Sequence, residues 1–174
     1  MKSKDIAITG ILLAIGAILR YFLAMLHTPL TPNMIIAFYC LAIILIAPKI
    51  YEAIGIGFVA GILSMLISGS IFPPANLVSE PLGALVCFGV YMLIKNKSKL
   101  APTATTFLVT LVSGFSFAAI AIVAVAPRIL EKYQTMDAFI LIFVPIVVIT
   151  AIFNAVIVQI LYIPANRVLS RGQE

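Results

Sequence analysis

Long apolar runs alternate with short polar interruptions along this chain. The runs cover Asp5–Leu26, Asn33–Ala47, Tyr51–Ile67, Leu77–Ile94, Thr103–Ala126 and Ala138–Ile163. Within each run apolar residues follow one another without the period-two alternation of a half-buried strand, so helices are predicted. The linkers HTPLTPN, PKI, SGSIFPPA, KNKSKLAP and PRILEKYQTMD bring the prolines, glycines and charges that end helices. The second run is short against the roughly 20 residues of a membrane span. It either tilts little or takes in part of its flanking loop.

Composition turns these helices into membrane helices. The chain is 63% hydrophobic and 10% charged, whereas a soluble domain is about half apolar and about one quarter charged. The expectation is an all-α membrane protein, with six transmembrane helices in one bundle and a single domain over residues 1–174. The first run is about a full span and longer than a signal-peptide core, so no cleavable leader is expected.

Charge supplies an orientation. With the N-terminus cytoplasmic, Lys2, Lys4, Lys49, Lys95, Lys97, Lys99, Arg167 and Arg171 fall inside, and only Arg20, Arg128 and Lys132 fall toward the outside. The positive-inside rule then places both termini in the cytoplasm of a cell-membrane protein. The net charge of +5 follows from topology. Basic residues scattered over several short segments give no nucleic-acid surface.

Polar residues at membrane depth are costly and usually face a bundle interior or a water-filled cavity. Arg20 lies in the outer half of the first helix, where it can join a pocket with Glu80 or snorkel to the interface. Glu80 opens the fourth helix from the outside, as a helix-start carboxylate or as an acceptor for a ligand ammonium or ring N–H. Asn76 suits the N-cap of the same helix and Asn33 that of the second. On the fifth helix Thr106, Thr110, Ser113 and Phe117 share a face, where hydroxyls commonly bond the carbonyls of the preceding turn; Ser113 and Ser116, nearer the outside, are the better ligand candidates. Asn154, with Thr150 a turn further out, needs a partner at mid-depth, either an interhelical hydrogen bond or a substrate. His27 reads as a solvated loop residue at the membrane edge. Tyr21, Tyr39, Phe72 and Tyr133 either form an interfacial belt or line a pocket for a flat ligand.

Small residues form two stripes. Ala7, Gly10, Ala14 and Ala17 share a face of the first helix, and Gly57, Gly61, Ser64 and Ser68 a face of the third. Each stripe lets another helix come close, from within the bundle or from a second protein. Cys40 and Cys87 lie far apart within apolar runs and read as small buried hydrophobes. No phosphate-binding loop, zinc motif, C-x-x-C pair or arginine ladder is present, and one loop histidine cannot serve a membrane serine protease. The chain does not look like an enzyme, and no cofactor is implied.

Helix one, KDIAITGILLAIGAIL, and the stretch LTPNMIIAFYCLAIILIAPKIYEAIGIGFVAGILSMLISGSIFPPANLVSEPLGALVCFGVYMLI resemble the substrate-binding S component of energy-coupling factor transporters. The second stretch looks most like the tryptophan-uptake branch. The resemblance is carried by helices one to four. It implies a subunit that captures a vitamin, metal or amino acid under its outer loops. Such a subunit docks on a membrane coupling subunit, and two cytoplasmic ATPases drive it. Carried to this chain, the pocket would use Arg20, Asn33, Asn76, Glu80, Ser113 and Asn154, and the docking face Ala7, Gly10, Ala14 and Ala17. There is one departure: the branch tends to have a basic residue before the proline, where this chain has Glu80 before Pro81. A carboxylate there suits an amine-bearing ligand. A self-contained small transporter or channel, and a ligand-free scaffold, stay open as alternatives; no inverted repeat is visible.

Overall fold

A computed structural model describes residues 1–25 and 32–171. The expectation for His27, and all of HTPLTPN before Pro32, lies outside the described residues. The elements are α1 (Ser3–Ala24), α2 (Ile35–Ile46), α3 (Ile50–Ile67), a 3-10 turn (Pro73–Ala75), α4 (Asn76–Ile94), α5 (Ala101–Tyr133) and α6 (Met136–Arg171). No strand occurs among the described residues. The protein is an all-helical, multi-pass membrane protein, and five helices among the described residues are long and apolar enough to cross a bilayer.

The exception is α2. Its 12 residues rise about 18 Å, short of the roughly 30 Å hydrocarbon layer. The reason is its position. Every residue from Ile35 to Ile44 is buried, and α2 meets each of the other five helices. A helix that is apolar all round belongs in a core, and a core helix need not reach both membrane surfaces. Its ends are closed locally. Asn33 Oδ1 accepts from the Ile35 N–H at 3.2 Å, which is the capping role expected of it. At the other end Ala47 turns left-handed (φ 46°) and its N–H returns to the Ile43 carbonyl at 2.9 Å.

The last two helices run further than the linkers suggest. α5 breaks at Val125 (φ −139°, ψ 34°), just before Pro127, then resumes to Tyr133. Most of PRILEKYQTMD is therefore helix, and the reversal is confined to the neighbourhood of Gln134 (φ 67°) and Thr135. Thr135 Oγ1 caps α6 by accepting from the Ala138 N–H at 3.1 Å. Burial explains the extra turns: Ile129 and Tyr133 pack into a cluster with Phe117, Phe139, Phe143 and Val147. α6 continues through Pro145 and Pro164 to Arg171, past the expected end at Ile163. Prolines are tolerated where neighbouring helices re-satisfy the freed backbone groups.

The stripes on α1 and α3 part company. Gly57, Gly61 and Ser64 are buried against α4. A Cβ on Gly57 would stand 2.6 Å from Ala84 Cβ and 2.7 Å from Pro81 Cα, and one on Gly61 2.7 Å from the Asn76 carbonyl oxygen. On α1 the buried face is Thr9, Leu13, Gly16 and Arg20. Ala7, Gly10 and Ala14 are exposed and Ala17 half-buried, and nothing comes within 4 Å of a Cβ on Gly10. Apart from Ala17, which packs on the core, the α1 stripe is not a packing seam of this bundle. Cys40 and Cys87 are free and buried, with the Cys87 sulfur 4.0 Å from the Cys40 carbonyl, in keeping with their reading as small core residues.

Candidate functional site

Between α1, α4, α5 and α6, at the end where α2 begins, lies a cavity of about 500 Å³ including its open mouth. Its polar end is lined by Arg20, Asn33, Asn76, Glu80 and Ser113, and its apolar end by Ile36, Phe117, Phe143, Ile146 and Val147.

Glu80 organises the polar end. It is 1% exposed, in the second turn of α4 rather than at a wet helix start, so a simple dipole role does not describe it. One carboxylate oxygen, Oε1, accepts from Asn33 Nδ2 at 2.7 Å and from Ser113 Oγ at 3.1 Å. The other, Oε2, is buried without a hydrogen-bond partner among the described residues. The close approach of α3 and α4 puts Glu80 at this depth: its own carbonyl oxygen is one of the atoms a Cβ on Gly57 would strike.

Arg20 is 2% exposed and lines the same cavity, so it does not snorkel. No ion pair joins it to Glu80 among the described residues, and its Nε and Nη1 are buried without a hydrogen-bond partner. A buried charge is normally paired, and an orphaned buried polar atom is rare enough to need an explanation. Here a cation and an anion each keep unused hydrogen-bonding capacity at one cavity.

Asn33 links the site to the centre of the bundle. Its side chain bonds Glu80 and caps α2, while its carbonyl accepts from Asn154 Nδ2 at 3.1 Å. Asn154 also donates to Thr110 Oγ1 at 3.2 Å. Asn154, fully buried, is therefore absent from the cavity lining and stands behind it, bracing Asn33 through the interhelical bond that its depth demands. Asn76 is in the lining, but its amide donates to the Pro73 carbonyl at 2.7 Å and makes no side-chain cap to α4. It clamps the preceding 3-10 turn instead of capping the helix.

The apolar end corrects the expected aromatics. Tyr21 is exposed, Tyr39 lies in the core, and Phe72 and Tyr133 pack in the cluster around Phe117, Phe139 and Phe143. None of the four lines the cavity. Its aromatic wall is Phe117 and Phe143, nearly parallel with ring centroids 6.5 Å apart. Phe117 was legible on the Thr106–Thr110–Ser113 face. Phe143 follows when the Thr150–Asn154 face is extended outward by helical spacing through Val147. Tyr39 stands outside the lining. Its hydroxyl is buried without a partner among the described residues and occupies the place a Gly83 Cβ would take. Ser116, also expected as a contact, is half-buried and outside the lining.

A family model described as "Tryptophan transporter TrpP" matches residues 2–170. A protein of Bacillus subtilis (strain 168) named "Probable tryptophan transport protein" is 26% identical over 176 residues, covering 99% of this chain and 96% of the relative. No solved structure matches.

Proposed function

The chain belongs to the tryptophan transporter TrpP family, and from that premise we propose that it is the substrate-binding subunit of an ATP-driven uptake system for tryptophan or a related aromatic compound. In this reading both termini are cytoplasmic, and the cavity opens outward. A zwitterionic amino acid gives its carboxylate to Arg20 and its ammonium to the free oxygen of Glu80. Asn33, Asn76 and Ser113 complete the polar end, with Asn154 holding Asn33 in place, and the indole lies against Phe117 and Phe143. The face of Ala7, Gly10 and Ala14, exposed, with half-buried Ala17 at its end, receives a transmembrane coupling subunit, to which two ATPase subunits supply energy.

One observation carries the ligand assignment. Orphaned atoms of a buried guanidinium and a buried carboxylate meet at the same cavity, and an apolar aromatic wall closes its other end. The complementary ligand has opposite charges at one end and a flat apolar body at the other.

Calorimetric titration of the purified protein tests it. Arg20→Ala and Glu80→Gln are each expected to weaken tryptophan binding by at least about tenfold, the scale of a lost charged hydrogen bond. Tryptamine, which lacks the carboxylate, should be insensitive to Arg20→Ala. Indole-3-propionate, which lacks the amine, should be insensitive to Glu80→Gln. Parent-like tryptophan affinity in both variants would sink the assignment.

A further inference from the structure

At the opposite end of the bundle a second hollow, about 1190 Å³ including its open mouth, lies between the α4–α5 linker and α6. Lys95, Lys97 and Lys99 of the linker line it together with Arg167 of α6. No Asp or Glu is among its lining residues within the described part of the chain. The three lysines form no ion pair among the described residues, and Lys95 Nζ rests 3.2 Å from the Met92 thioether, a weak acceptor.

Topology alone asks only that positive residues lie at this end of the bundle. It does not ask that four of them surround one hollow, where like charges repel. The lining also includes Tyr91, Tyr162 and Ile163, aromatic and apolar residues at the edge of the spans. Concave basic sites between membrane helices suit phosphate head groups, and this one continues into a wall suited to the glycerol and first methylenes of a lipid.

We propose that this hollow binds the head group of an anionic phospholipid from the adjoining leaflet, with Lys97, Lys99 and Arg167 as its phosphate contacts. The site is independent of what the outer cavity binds.

Native mass spectrometry of the full chain released from nanodiscs tests it. Phosphatidylglycerol should be retained in preference to phosphatidylcholine. The triple variant Lys97→Gln, Lys99→Gln, Arg167→Gln should bind it roughly a hundredfold more weakly, at about one charge-equivalent of surface attraction per residue. Lys2→Gln/Lys4→Gln, which removes basic charge at the same end, should retain it. Loss of lipid in that control as readily as in the triple variant would reduce the effect to general surface charge and overturn the site. Each exposed linker lysine replaced singly gives an intermediate loss and serves if the triple variant fails to fold. Inorganic phosphate added to phosphatidylcholine discs should not raise the melting temperature. An equal rise with phosphate, or retention only of an acidic protein, would overturn the lipid assignment.

Discussion

The small-residue stripes of α1 and α3 are similar as strings of letters, and their surroundings are opposite. On α3, Gly57 and Gly61 let the backbone of α4 come so near that a single methyl would meet Pro81 Cα or the Asn76 carbonyl oxygen. On α1, Gly10 has open space around it and Ala7 and Ala14 face outward. Close helix approach through small residues is a packing device in membranes. On α3 the device is in use within the chain. On α1 it is displayed, while the helix turns Thr9, Leu13, Gly16 and Arg20 inward. Small residues at helical spacing thus mark where a helix can be approached and say nothing about which molecule approaches.

The same substitution on the two stripes should break the likeness most sharply. Gly57→Ala forces a methyl against backbone atoms that cannot rotate away, and overpacking of this kind costs about 1–3 kcal/mol. A clearly lower melting temperature of the detergent-purified protein is expected, together with weaker tryptophan binding, because Glu80 moves with α4. An unchanged melting curve would mean that the α3–α4 seam is looser than described. Next in size is Ala14→Leu on the proposed docking face. Uptake by vesicles containing the coupling partners should fall about tenfold or more, while melting temperature and tryptophan binding stay with the parent, as for surface changes within about 0.5 kcal/mol. Full uptake by this variant would leave the α1 stripe without a docking role. The smallest effect, and opposite in sign to the first, belongs to Gly10→Ala. With room for the methyl, the helix gains about 0.5–1 kcal/mol from reduced backbone freedom in the unfolded chain. A loss of stability here would show that the stripe is already covered.

Much of this fold was open to sequence reading because lipid leaves the backbone so few choices. The runs gave the helices, and the same runs hid two things. The position of α2 was concealed because a run apolar on every side has no face to point, so its shortness looked like an anomaly rather than a mark of centrality. The ends of α5 and α6 were concealed because Pro127 and the charges around it read as breaks, while burial of Ile129 and Tyr133 holds the chain helical beyond them. The site divided along similar lines. Arg20, Asn33, Asn76, Glu80 and Ser113 stood out against apolar neighbours, and the structure brings them to one cavity. Phe143 had no such contrast, and Tyr39, singled out as a belt or pocket aromatic, lies outside the lining. Asn154 was conspicuous as a polar residue, but sequence could not tell a wall from the brace behind it.

Asn33 has a consequence that reaches beyond its own contacts. Its amide nitrogen is committed to Glu80, its amide oxygen to the start of α2, and its carbonyl to Asn154. Anything that competes for the Glu80 carboxylate also disturbs the tether of the one helix that touches all the others. A ligand group that took Oε1 from Asn33 would link occupancy of this cavity to the packing at the centre of the bundle through a single side chain. By reciprocity, strain placed on α2 from elsewhere in the bundle would then change the affinity for that ligand.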